Sequence, residues 1–419
     1  MPRNIVLLCD GTSNEVARNR TNILRLYGTL EKSARQLVFY DPGVGTFGDE
    51  NAWLHHCRRL KELWGLLTGW GIDVNVKQAY RFLVEHYDPG DGQSVAPDRI
   101  YIVGFSRGAY TARMLAGFIN ALGLIERRNL NLLDYAYRAY KTIDDTEGLD
   151  ISDAPAGRRD AFAELRLFSR MLNPARPAIR CLALFDTVGS VIELDGLWPR
   201  IRTHPHTSRN PSVAAVRHAV ALDERRSMYM PSLWPEDQPD WGGPFPPEPP
   251  DTPDTPDTPG AARPQDAREV WFSGVHGDIG GGYPEKASAL AKIPLRWMID
   301  ETQALGLHYD AEAVRRLVDG TGSDGRYVGP DPLARPNPAF NVLWRMVEFL
   351  PRLRTRASLT RRAGLLGVYL PLFERRHVPA HARVHASVFA RRGTAQDYAQ
   401  PNIPADHRIE GTSPNAGLS

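Results

Sequence analysis

Cysteine is scarce in this sequence. Three cysteines in 419 residues, Cys9, Cys57 and Cys181, stand far apart with no ligand spacing. That excludes a disulfide scaffold and a thiolate metal knuckle, and it fits a reducing compartment. Cys9 and Cys181 lie in apolar runs and read as small core residues. Long hydrophobic runs are also missing. Nothing approaches the roughly 18 apolar residues of a spanning helix. The early run Ile5-Val-Leu-Leu-Cys9 is too short for a signal-peptide core and has no cleavage pattern. The chain is therefore expected to be made as a soluble cytoplasmic protein, with export by a leaderless route left open. A charge excess of one sign is absent too. Lys and Arg total 51 against 49 Asp and Glu, a net charge of +2, so no nucleic-acid partner is expected. What remains is ordinary for a globular protein, with 42% hydrophobic and 24% charged residues. The length fits one large α/β domain with insertions, or two domains.

The most informative stretch is Ile100-Tyr-Ile-Val-Gly-Phe-Ser-Arg-Gly-Ala-Tyr110. A short run of β-formers meets Gly104-Phe-Ser-Arg-Gly108, a G-x-S-x-G pattern. The next residues place Met114, Leu115, Phe118, Ile119 and Leu122 on one helical face. Strand, sharp turn and helix are the context of a nucleophile elbow. The glycines are expected where backbones approach too closely for a Cβ. The turn would present Ser106 at a helix N-terminus, where N–H groups and the dipole favour a developing oxyanion. The bland alternative is a βα turn whose serine caps the helix.

Other strands can be read along the chain. Ile5–Cys9 runs into the polar loop Asp10-Gly-Thr-Ser-Asn14, where Gly11 and Thr12 are candidate oxyanion donors together with the backbone N–H of Arg107. Leu37–Tyr40 reads as a second strand, and 49–71 as an insertion. Ile72–Tyr87 carries one apolar stripe and reads as a helix. Strands and helices alternating at this spacing predict βαβ units and a mainly parallel sheet. Residues 128–175 read as a cap-like helical insertion. Residues 231–264 hold 12 of the 34 prolines, and 236–267 are assigned as a Pro-rich disordered loop. Trp344 to Arg376 holds eight arginines and two glutamates, read as the outer face of packed helices, with a membrane-surface helix pair as the less favoured alternative.

Two later loops follow apparent strands. Asp186 comes directly after Cys181–Phe185, and His276 lies among glycines after Glu269–Phe272. Ser106, Asp186 and His276 occur in the chain order expected of α/β hydrolases. A serine hydroxyl needs a base to take its proton, His276 titrates in the right range, and Asp186 would hold its tautomer. His218 is the leading rival base, but Val213–Leu222 reads as a helix, where a structural histidine is expected. Asp195 and Asp278 are rival acids. His276-Gly-Asp278 offers two ligands with no third cluster, so no metal is expected.

Five ordered motifs then add a resemblance: Leu8-Cys-Asp-Gly-Thr-Ser-Asn14, Gly104–Arg113, Leu184-Phe-Asp-Thr-Val-Gly189, His218–Arg226 and Gly274-Val-His-Gly-Asp-Ile-Gly-Gly-Gly-Tyr283. Together they resemble the uncharacterised α/β-hydrolase family that includes the catalytic domain of type VI secretion phospholipase effectors. The similarity runs from about Asn4 to Pro404. It implies an α/β-hydrolase fold, a triad of Ser106, Asp186 and His276, no cofactor, and an ester or lipid substrate. It leaves peripheral membrane contact and oligomeric state open. The sequence departs from those effectors in showing no large extra membrane-docking domain and no secretion adaptor module. The expected organisation is a hydrolase domain over 1–404, with a C-terminal helical region over 285–404 and a disordered tail over 405–419. The expected activity is carboxylic-ester hydrolysis through an acyl-serine. A soluble esterase on small acyl substrates and a non-catalytic hydrolase-fold binding protein are the alternatives.

Overall fold

A computed structural model of the chain describes residues 2–11, 20–43, 71–143, 156–188, 192–195, 198–201, 207, 210–235, 239–240, 263–322, 325–339, 342–349, 352–353, 368–394, 398 and 400–411. Eight strands form the central sheet: β1 (Asn4–Cys9), β2 (Gln36–Asp41), β3 (Arg99–Phe105), β4 (Ile179–Phe185), β5 (Ala215–Ala221), β6 (Asp266–Phe272), β7 (Arg383–His385) and β8 (Arg408–Glu410). Their spatial order is β8-β7-β6-β5-β4-β3-β1-β2, and every neighbouring pair is parallel. All carboxyl ends therefore meet along one rim, the side on which open α/β sheets bind ligands.

Both faces are covered, which is why the central strands are apolar throughout. On one face Leu7, Ile102, Leu182 and Leu184 share a core with α2 (Ile72–His86), α3 (Arg107–Leu122) and α4 (Leu133–Thr142). On the other, Val6, Leu8, Val103, Ala183 and Phe185 pack with α1 (Asn22–Thr29) and with α7 (Lys292–Ala304) and α8 (Ala311–Leu317). Alternate residues of one strand thus feed opposite cores, as the pleat requires. Each fully buried Leu or Ile contributes about 1.5–3 kcal/mol over its exposed state, so the rim loops hang from a stiff platform.

Three expectations are corrected and a fourth is refined. Residues 213–222 are not a helix. Ala215–Ala221 is strand β5, buried at every position, and an Ala/Val run buried on both faces has no period to distinguish the two states. The described part of 128–175, read as a cap-like insertion, packs against α3, and residues 144–155 lie outside the described residues. Helices α4 and α5 (Ala156–Leu172) join the layer around α3, and Leu133, Tyr140, Leu165 and Leu172 lie in the same core as Phe118 and Leu122. The Pro-rich segment is shorter than 236–267. Residues 239–240 and 263–264 pair antiparallel, Gln265 is buried, and β6 begins at Asp266; 236–238 and 241–262 lie outside the described residues. Finally, the chain after 285 is not purely helical, and 405–419 is not all tail. β7 and β8 extend the sheet beyond β6, with Val384 beside Ile409. Three-residue strands are too short to show a periodicity, and the edge strand β8 is largely exposed.

Candidate active site

β3 ends at Phe105, and Ser106 takes φ 58 and ψ −120 before α3 begins at Arg107. A positive φ at a non-glycine residue costs on the order of 1–3 kcal/mol, and it is held here by close packing. A Cβ on Gly108 would stand 2.2 Å from Cys9 O and 2.5 Å from Asp10 O. One on Gly104 would stand 2.5 Å from Ala109 Cα. The Ser106 side chain makes no cap bond to the helix. Its Oγ instead lies 2.8 Å from His276 Nε2.

His276 opens α6 (His276–Gly280), just past the end of β6. Its Nδ1 is 2.5 Å from Asp186 Oδ2. The partners assign the tautomer, with Nδ1–H donating to the carboxylate and Nε2 accepting from the hydroxyl. Asp186 directly follows β4 with φ 39. It is fully buried and accepts the Ala221 N–H on Oδ1 at 2.9 Å. The structure thus brings Ser106, Asp186 and His276 together from three loops on the carboxyl rim.

Sequence reasoning missed the groups around these three. Arg376 donates through Nη1 to Asp186 Oδ1 at 2.6 Å and through Nη2 to Oδ2 at 3.0 Å. Burial alone would raise the Asp186 carboxyl, but the Arg376 charge and the His276 hydrogen bond outweigh it and hold it well below the usual carboxylate range. Glu224, also buried, accepts the His276 backbone N–H at 3.1 Å and pairs with the Arg226 guanidinium at 2.7 Å. The rings of Phe105 and Tyr229 each lie 4.8 Å from the imidazole. Arg226 stacks on Tyr229 at 3.8 Å, and Trp344 meets Tyr229 edge-on at 5.4 Å. Burial pulls the His276 imidazole below its ordinary range, and the Arg226 charge adds to that against the opposing pull of Asp186. The one available signal for Glu224 and Arg226 was their place in the His218–Arg226 motif. Arg376 had none, being one arginine in an arginine-rich stretch.

The remaining candidates separate. The Arg107 N–H opens α3 directly beside Ser106. The Gly11 N–H donates to Asp10 Oδ1 at 2.7 Å. Thr12 lies outside the described residues. Asp10 also accepts from Thr21 Oγ1 at 2.5 Å and Tyr40 OH at 2.8 Å, and burial pushes its carboxyl up to about 6. His218 is a buried structural histidine: Nδ1 sits 2.8 Å from Glu269 Oε2, and Nε2 accepts the Thr187 N–H at 3.2 Å. Asp278 accepts from Val275 N at 3.1 Å and Asn337 Nδ2 at 2.7 Å. Asp195 lies in a short hairpin with 198–201. Among the described residues no three His, Cys, Asp or Glu side chains stand together as a metal site, and no helix is long and apolar enough to cross a membrane.

A parallel sheet between two helical layers, with a strained serine after one strand and a histidine and aspartate on later loops of the same rim, is the α/β-hydrolase arrangement. Residues 3–301 match the model of the T6SS phospholipase effector Tle1-like catalytic domain, and the chain belongs to that family. It is also 34% identical over 235 residues to an uncharacterized protein of Saccharomyces cerevisiae, across 54% of this chain and 32% of that one. Two solved structures are similar at 17% identity. One is an uncharacterized protein from Pseudomonas aeruginosa, with a TM-score of 0.41 over 80% of this chain and 50% of that one. The other is the Tle1 effector bound to the VgrG spike of the type VI secretion system, with a TM-score of 0.35 over 69% of this chain and 53% of that one. The chain thus spans about a third of the curated relative and about half of each solved one.

Proposed function

We propose that the chain is a serine ester hydrolase that cleaves carboxylic esters of glycerophospholipids through an acyl-serine. Ser106 Oγ attacks the ester carbonyl while His276 Nε2 takes its proton. Asp186 holds the imidazole and stabilises its cation. The Arg107 N–H, at the positive end of α3, donates to the oxyanion. Collapse of the tetrahedral adduct breaks the C–O bond, and His276 returns the proton to the leaving alcohol. Water, deprotonated by the same imidazole, then releases the fatty acid and restores Ser106. The observation that carries this reading is the continuous relay of 2.8 Å from Oγ to Nε2 and 2.5 Å from Nδ1 to Oδ2. Family membership supports the phospholipid class.

A lipid rather than a small soluble ester is favoured by the surface near the site. Trp344 touches Tyr229, and in the segments around it Met346, Phe349 and Leu370 are 66%, 58% and 44% exposed. Phe349 packs on Phe373, and the Leu372 N–H bonds Glu348 O, which draws the two segments together. Exposed apolar side chains interleaved in sequence with the exposed Arg345 and Arg375 suit an anionic lipid interface. The test sets wild type and Ser106→Ala against phospholipid vesicles and against short-chain esters. Turnover confined to short esters sinks the lipid reading. Turnover retained by Ser106→Ala sinks the mechanism. A Phe349→Ser/Met346→Ser variant is expected to lose about tenfold on vesicles and to keep short-ester turnover.

A further inference from the structure

Asp186 carries one partner more than an orienting carboxylate needs. Oδ2 accepts from His276 Nδ1 and Arg376 Nη2, and Oδ1 accepts from Ala221 N and Arg376 Nη1. The Arg376 and Asp186 side chains are only 5% and 0% exposed. Arg376 also donates to Ala221 O at 2.9 Å and to Tyr229 O. One guanidinium thus ties together the end of β5, the carboxylate after β4 and the loop whose ring lies on His276. The family match ends at residue 301, and Arg376 comes from beyond it, just before β7. We propose that Arg376 is a positioning residue of this site: contributed by the C-terminal segment, it clamps the Asp186 carboxylate in plane and offsets its charge, keeping His276 a neutral base. The proposal deepens the hydrolase reading and rests on it for its kinetic consequences.

A carboxylate buried this completely is costly to keep ionised without a hydrogen-bonded counter-charge. The planar fork of arginine matches both carboxylate oxygens at once, which lysine cannot do. The clamp has an electrostatic cost: with its charge offset, Asp186 stabilises an imidazolium less. The charged and polar groups facing His276 are Asp186, Glu224 at its backbone amide, and Arg226, with Ser106 at Nε2 and the rings of Phe105 and Tyr229 on its sides. Glu224 and Arg226 pair with each other, so Arg376 is the cation that balances the histidine's own partner.

Removing that cation favours a proton on the Asp186–His276 pair. In Arg376→Gln the acid limb of fluorophosphonate labelling at Ser106 is expected to move up by about one unit or more. Ester kcat is expected to fall by about 100-fold at neutral pH, with KM little changed. Arg376→Lys keeps the charge without the fork, so its limb stays near that of wild type while kcat falls. In Arg376→Ala, added guanidinium ion is expected to restore labelling and return the limb. Nitrogen-15 NMR of labelled histidine follows the His276 titration without any substrate and is expected to show the same upward shift in Arg376→Gln. If the glutamine variant does not fold, the lysine variant and the guanidinium-treated alanine variant decide. An unmoved limb and an unchanged His276 titration in a folded charge-neutral variant overturn the proposal, as does equal loss in all three variants with no effect of guanidinium. Should wild type neither label nor hydrolyse any ester, the hydrolase reading fails, while the NMR titration still decides the role of Arg376.

Discussion

His218 and His276 are both buried, each has Nδ1 on a carboxylate, and both are pulled below the ordinary imidazole range chiefly by burial. The two sites differ at the other ring nitrogen. His218 lies within β5, and its Nε2 accepts a peptide N–H, that of Thr187. His276 lies past the end of β6, and its Nε2 faces the hydroxyl of Ser106. A peptide amide does not give up its proton near neutrality, whereas an alcohol attacking a carbonyl must. A carboxylate partner and a shifted titration therefore do not make a histidine a base. Under the proposed mechanism, place on the rim and a partner whose proton can leave do.

Substitution at the two sites should split along that line. Ser106→Ala is expected to lose about a million-fold in kcat with the folding midpoint in urea little changed, and His276→Gln a comparable amount of kcat. His218→Gln should behave in the opposite way, with kcat per folded molecule within a few-fold of wild type and stability lower by about 2–4 kcal/mol for the broken buried pair. Large loss of kcat in a folded His218→Gln would erase the distinction. Gly108→Ala probes the turn between strand and helix. Its Cβ would meet backbone oxygen of β1 at 2.2 Å, so a loss of about 3 kcal/mol or more in urea and about 100-fold in turnover is expected. Wild-type-like stability and turnover would contradict a close approach of α3 to β1 at that turn.

The smallest effects come from pH. Because the folded His276 titrates below its unfolded value, it remains an unprotonated base as pH falls through about 6.5. The acid limb of kcat/KM should then lie below that point, and a limb at or above it contradicts the burial argument. The same sign governs stability. An unfolded chain binds more protons on His218, His276 and His385 than the folded one, so the contribution of these three to stability is full above about pH 6.5 and declines below it, whereas Asp10 and Asp278, which burial raises to about 6, contribute with the opposite sign. For His385, which burial lowers to about 4, the loss ends near that value. Equilibrium urea titrations across this range measure the slope.

Much of this arrangement could be read from residue order, for reasons that are local. The elbow shows in the sequence because strand, glycine-flanked serine and helix are contiguous, and Asp186 and His276 each follow an apolar run directly. What could not be read is non-local or two-sided. β5 is buried on both faces, so its residues show no strand alternation and read as a helix. Gly11 reads as an oxyanion donor from its place after the first strand, and that its N–H donates to the buried Asp10 carboxylate is a contact no spacing shows. Arg376 reaches its carboxylate only through the folded C-terminal segment, and no spacing could have singled it out among neighbouring arginines.

The Arg376–Asp186 pair spans 190 positions, which has a consequence for a chain made from its N-terminus onward. At ribosomal rates of about 5–20 residues per second, roughly 10 to 40 s separate the appearance of the carboxylate from that of its cation. During that interval β1 to β5 can already collapse around their shared cores, since most of their partners lie upstream. The Asp186 carboxylate gains its cation only once residue 376 has been made, so a chain that has reached β5 has its platform before that pair can form.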